Sequence, residues 1–201
     1  MNKKYIWLII PIISFVFLQD LIIYNKIPLA SDMVAHEPIK EWISTTSEFP
    51  QWFPNLFSGL PSYGGYIYTP GHPLESFLRI IYLNNGVRFW FYLSLGGIGL
   101  FFLLKFLKVS NNASLFGGLA YAITPYVFGL INAGHNNKIM AGAFTPFLIL
   151  CALYMFSNRS IKSILLLSIV SALQLWTNHP QIYYYTWMVI GLWWLVDTIY
   201  S

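Results

Sequence analysis

Six runs of mostly apolar residues divide this chain, each close to the ~20 residues that carry an α-helix across the hydrocarbon core of a bilayer. They are Tyr5–Tyr24, Phe89–Leu107, Ala113–Ile131, Ile139–Phe156, Ile161–Thr177 and Ile182–Tyr200. Only 9% of the residues are charged, whereas soluble domains carry roughly a quarter. The sequence therefore predicts an all-α polytopic membrane protein, a single domain over residues 1–201 with about six transmembrane helices and one long loop, 25–88. Pro125 and Pro146 fall inside the third and fourth runs. A bilayer tolerates such prolines where neighbouring groups re-satisfy the carbonyls they free.

Lys3 and Lys4 before the first run suit a signal peptide, but the apolar stretch exceeds the roughly 7–15 residues of a signal core and contains Asp20. It reads as an uncleaved anchor. Cys151 lies in an apolar run and reads as packing. The basic residues are scattered, with no run that would track a nucleic-acid backbone.

Lysine and arginine in the short loops set the orientation. With the N-terminus cytoplasmic, Lys3, Lys4, Lys105, Lys108, Arg159 and Lys162 collect inside, and the short outer loops hold only Lys138. The outer face then receives all four histidines, His36, His72, His135 and His179, and five of the seven acidic residues. The inner loops carry nothing comparable, so any chemistry encoded here is expected outside.

On that face "GHNNK" (134–138) opens the fourth run and "NHPQ" (178–181) opens the sixth. Helix N-termini carry free N–H groups and partial positive charge, which favours anions. Pro180 suits a first helical turn. His135, Asn136, Lys138, His179 and Gln181 are thus candidate phosphate-binding residues; the plain alternative makes them interfacial polar groups, with Lys138 snorkelling to lipid phosphates.

The long loop has structure of its own. "HEPIKEWISTTSE" (36–48) and "HPLESFLRIIYL" (72–83) each place apolar residues on one helical face and read as short interfacial helices. Residues 49–71 between them are rich in Pro, Gly and aromatics and predict an ordered, turn-rich surface loop. Asp32 is either an N-cap or a catalytic carboxylate held at the membrane surface. Glu37 either shares its site or sits in the first turn of the helix at Pro38. His36 and His72 show no metal-ligand spacing, so no metal site is assigned.

"SDMVAHEP" (31–38), "PQWFPNLFSGLPSYGG" (50–65), "NAGHNNKIMAGAFTPFLILCALY" (132–154) and "TNHPQIYYYTWMVIG" (177–191) are similar to the YfhO family of bacterial membrane glycosyltransferases, in the GT-C superfamily. The resemblance covers essentially the whole chain. It implies a bacterial inner (plasma) membrane location and transfer of a sugar from a polyprenyl-phosphate carrier to a cell-envelope glycan or lipid acceptor at the outer leaflet. The family's catalytic aspartate, early in the first external loop, maps onto Asp32. The loop has no Asp-x-Asp pair, which leaves a divalent cation unassigned. Members of that family are much longer, so the resemblance also implies that this chain is an N-terminal portion whose C-terminal part is missing. Two other readings stay open: a lipid-linked-sugar flippase, disfavoured by the scarcity of polar groups along the runs, and a non-catalytic membrane assembly subunit.

Overall fold

The computed structural model describes residues 3–26, 37–46, 50–54, 58–61 and 84–200 together with 34, 48 and 77, with the side chains of Lys3, Lys4, Glu37 and Lys40 left out. A 3-10 turn, Lys3–Leu8, leads into α1 (Ile9–Ile23). The short helix α2 (Glu37–Ser44) follows, then a hairpin of β1 (Trp52–Phe53) and β2 (Leu60–Pro61). Six further helices complete the chain: α3 (Asn85–Phe106), α4 (Asn111–Ala122), α5 (Pro125–Ala133), α6 (Asn136–Ser157), α7 (Ile161–Leu175) and α8 (Pro180–Tyr200).

Among the described residues, four stretches are long and apolar enough to cross a membrane: Tyr5–Ile23, Asn85–Phe106, Asn111–Ala133 (α4 and α5 together) and Asn136–Ser157. The fifth predicted run forms only a 15-residue helix, α7, about 22 Å at 1.5 Å per residue. The sixth, α8, has 21 residues but is diluted by tyrosines, tryptophans and Asp197. The third predicted run is broken. Thr124 is extended, as the residue before a proline is biased to be, and Pro125 then starts α5. The second run begins a turn earlier than its apolar residues do, because the Asn84 side chain accepts from Val87 N and caps α3.

The hairpin departs from the all-α expectation. Trp52 pairs with Pro61 and Phe53 with Leu60. Phe53 is buried and stacks edge-on against Trp42 of α2, with ring centroids 6.0 Å apart, so α2 packs on the first strand of the hairpin. That helix starts at Glu37, one residue before Pro38. The predicted helix 72–83 lies outside the described residues apart from Phe77, which is helical.

Helix α3 is the hub, packed against α1, α4 and α6. Its backbone touches that of α4 where Gly97 meets Gly118: a Cβ on Gly97 would lie 2.6 Å from the Gly118 carbonyl oxygen. Small residues serve helix pairing in lipid because there packing, rather than escape from water, drives association. The main core lies between α3, α5 and α6, around Phe89, Tyr92, Leu130, Met140 and Phe144.

The Pro146 site shows how α6 keeps a proline in mid-helix. Proline has no N–H for the carbonyl four residues back, here that of Gly142. Tyr121 of α4 donates its hydroxyl to that oxygen at 2.7 Å. On the adjacent residues, the fully buried Gln174 of α7 donates Nε2 to the Ala141 carbonyl at 3.0 Å, to Thr145 Oγ1 at 2.9 Å and, on α8, to Thr186 Oγ1 at 3.2 Å. A single amide thus ties α6, α7 and α8 together.

Candidate functional site

"GHNNK" is two structural devices in five residues. Gly134 ends α5 in the left-handed conformation (φ 80°), which glycine adopts without a Cβ penalty. Its N–H donates to the Ile131 carbonyl at 3.1 Å, and His135 N–H donates to that of Leu130 at 2.9 Å, the paired bonds of a Schellman stop. His135 is then the N-cap of α6 without using its side chain for capping, and Asn136, Asn137 and Lys138 form the first turn. Two helices meet here end to end across Gly134 and His135.

The α7–α8 turn supplies the second part. Thr177 is fully buried and donates Oγ1 to the Gln174 carbonyl at 2.7 Å. Asn178 takes the left-handed conformation (φ 57°), and Pro180 starts α8. His179 caps that helix: its Nδ1 accepts from Ile182 N–H at 3.4 Å. With Nδ1 as acceptor, the neutral ring carries its proton on Nε2. Burial first, then the neighbouring Lys138 ammonium, pushes His179 below the ordinary imidazole pKa; the His179 backbone hydrogen bond opposes this, and His135 adds to the lowering. Lys138 and His135 both lie close enough to act on the charge of His179. At neutral pH the cluster combines a cation at Lys138 with a neutral N–H donor at His179.

Arg88 belongs to the same end of the bundle and was not among the residues expected from sequence. It sits in the first turn of α3 and donates an Nη to Met140 Sδ of α6 at 3.1 Å. Sequence reading counts it only as a basic residue of the long loop. The available signal was its position: a cation four residues past a cap asparagine opposes the helix dipole. Lys138, three residues past the cap His135, likewise opposes the dipole of α6. None of α3, α6 and α8 has an acidic residue in its first turn. Arg88 and Lys138 thus add cations to two of these helix starts, an arrangement suited to an anion.

Of the remaining expected residues, Asn136 is half-buried and its Oδ1 is enclosed with no hydrogen-bond partner among the described residues. Gln181 does not join the cluster: it lies exposed on α8 and donates Nε2 to Tyr185 OH at 3.1 Å. Glu37 opens α2. Asp32, His36 and His72 lie outside the described residues. The chain carrying them nevertheless leaves and re-enters the bundle at this end, where Asn84 Nδ2 donates to the Ile22 carbonyl of α1 at 2.8 Å. Asp20, near that end of α1, pairs with Lys26 at 2.8 Å, both well exposed, which is worth little in stability.

A cavity of about 230 Å³ runs inward from Lys138, walled by Tyr92, Tyr121, Leu130, Ile139 and Gly142 among others. Comparisons with protein-family models, with curated proteins and with solved structures find no match to this chain.

Proposed function

We propose that this chain is a membrane glycosyltransferase, or the N-terminal half of one, that moves a sugar from a polyprenyl-phosphate carrier to a cell-envelope glycan or lipid acceptor. In this reading six helices cross the bacterial inner membrane with the N-terminus in the cytoplasm, α7 and α8 included, and the starts of α3, α6 and α8 face outward. The observation that carries it is the placement of Arg88, Lys138 and His179 at three helix starts that have no acidic residue in their first turns. A second support is the similarity of the quoted segments to the YfhO family.

The chemistry follows from those groups. Asp32 takes the proton from an acceptor hydroxyl, whose oxygen attacks the anomeric carbon as the bond to the phosphate oxygen breaks, inverting that centre. The polyprenyl phosphate leaves as an anion. Lys138, Arg88, the His179 Nε2–H and the three helix starts stabilise the charge as it develops on the leaving oxygen. His135 and Asn136 complete the rim, and His36, Glu37 and His72 are supporting candidates from the loop.

Transfer of radiolabelled sugar from a polyprenyl-phosphate donor in proteoliposomes tests the proposal. Asp32→Asn is expected to lower transfer by roughly 100-fold or more with helical content unchanged. Transfer at the wild-type rate by that variant removes Asp32 as the base.

A further inference from the structure

The cavity beside Lys138 is larger and more apolar than anion binding requires. Its walls come from α3, the α4–α5 junction, α5, α6 and Ile182 of α8, and Lys138 forms part of the wall at the α6 start. One tyrosine hydroxyl of its lining is already committed, since Tyr121 donates to the Gly142 carbonyl at 2.7 Å. Thr145 is likewise engaged with Ala141 and Gln174. The surface facing this space is almost wholly apolar, so what lies beyond the ammonium is hydrocarbon-like.

Gly142 supplies an independent observation. A Cβ at Gly97 or Gly118 would strike a neighbouring backbone, but a Cβ at Gly142 would meet only the Tyr121 hydroxyl, at 3.9 Å. Helix packing thus does not require glycine there, and glycine costs a helix interior roughly 1 kcal/mol relative to alanine. Its missing side chain keeps open the cavity that it lines. On the scale where an apolar cavity of about 150 Å³ takes one benzene, this space takes about nine carbon atoms, close to two isoprene units.

We infer that this cavity is the binding site for the phosphate-proximal end of a single-chain lipid monophosphate, with its phosphate at Lys138 and its first isoprene units against Gly142. The inference rests on the phosphate role proposed above for Lys138 and adds the site of the chain. A glycerophospholipid fits less well, because it places a glycerol and ester groups between the phosphate and the chains, and the wall has few free polar groups to receive them.

Binding of farnesyl phosphate, dioleoyl phosphatidic acid and inorganic phosphate to the detergent-purified chain, read by native mass spectrometry, tests this. Wild type is expected to bind farnesyl phosphate in preference to phosphatidic acid. Gly142→Leu is expected to weaken farnesyl phosphate binding by roughly tenfold or more, and Gly142→Ala by about threefold, from the apolar contact displaced. The alanine variant adds one methyl to open space and serves if the leucine variant fails to fold. Inorganic phosphate should bind equally to all three. Farnesyl phosphate binding that is unchanged in Gly142→Leu yet lost in Lys138→Ala overturns the chain site and leaves the phosphate role standing. Equal binding of phosphatidic acid and farnesyl phosphate by wild type also overturns it. Failure of wild type to bind any lipid phosphate overturns both.

Discussion

The Tyr121 hydroxyl donates a 2.7 Å hydrogen bond to the carbonyl of Gly142, the carbonyl that Pro146 deprives of its helical partner. The bond joins α4 to α6 at the one place where α6 cannot satisfy itself. Removing it leaves a buried acceptor, which costs more than a missing contact because no water replaces the donor. Tyr121→Phe is expected to destabilise the protein by about 1 kcal/mol, read as a lowered melting temperature in detergent. Phe at position 121 with unchanged stability would mean that the carbonyl finds another donor.

Gln174 makes a sharper contrast. Its Nε2 reaches three acceptors on two helices, but both threonines keep backbone acceptors of their own: Thr186 Oγ1 donates to the Ile182 carbonyl at 2.8 Å and Thr145 Oγ1 to that of Ala141 at 3.3 Å. Gln174 Oε1 is buried without a partner among the described residues. Gln174→Leu fills the space, removes that orphan and is expected to cost less than about 1 kcal/mol. Gln174→Ala opens a cavity and should cost about 2–3 kcal/mol. Equal losses in thermal unfolding for the two variants would show that the hydrogen bonds, not the packing, hold α6, α7 and α8 together.

His179 provides a pH-dependent readout of the cluster. Burial, then Lys138, lowers its pKa in the folded state, so the unfolded chain binds this proton at a higher pH than the folded one. Stability from this group is therefore fully present above about pH 6.5 and declines as the pH falls through that value towards the folded pKa. In NMR titrations the His179 ring is expected to protonate below the ordinary imidazole value, and Lys138→Ala to move it part of the way back. The recovery is partial because burial, the larger cause, remains. No change on removing Lys138 would mean that the two side chains do not share a site.

The helices were legible in the sequence because apolar runs in lipid leave the backbone few alternatives. Their ends were less so. Gly134 and Pro125 announce a stop and a start, but the α3 start depends on Asn84, a polar residue outside the apolar run. Lys138 and His135 lie near His179 because alternating helices bring the starts of α6 and α8 to one end. Gln181 shares an exposed face with Tyr185 four residues on, a face that the sequence does not distinguish. Arg88 was hidden by being counted within the long loop. The β1–β2 hairpin was illegible because two-residue strands leave no alternation to read. The Tyr121–Gly142 and Gln174–Ala141 bonds are tertiary and have no local signature.

The role of the GHNNK turn rests on one comparison: native mass spectrometry of the detergent-purified chain with added polyprenyl phosphate, wild type against the His135→Ala, Lys138→Ala double variant. Phosphate capture at the α6 start predicts a bound lipid phosphate in wild type and its loss in the double variant, with helical content retained in both. Equal binding by the two proteins, or none by either, would contradict it and leave His135 and Lys138 as interfacial anchors.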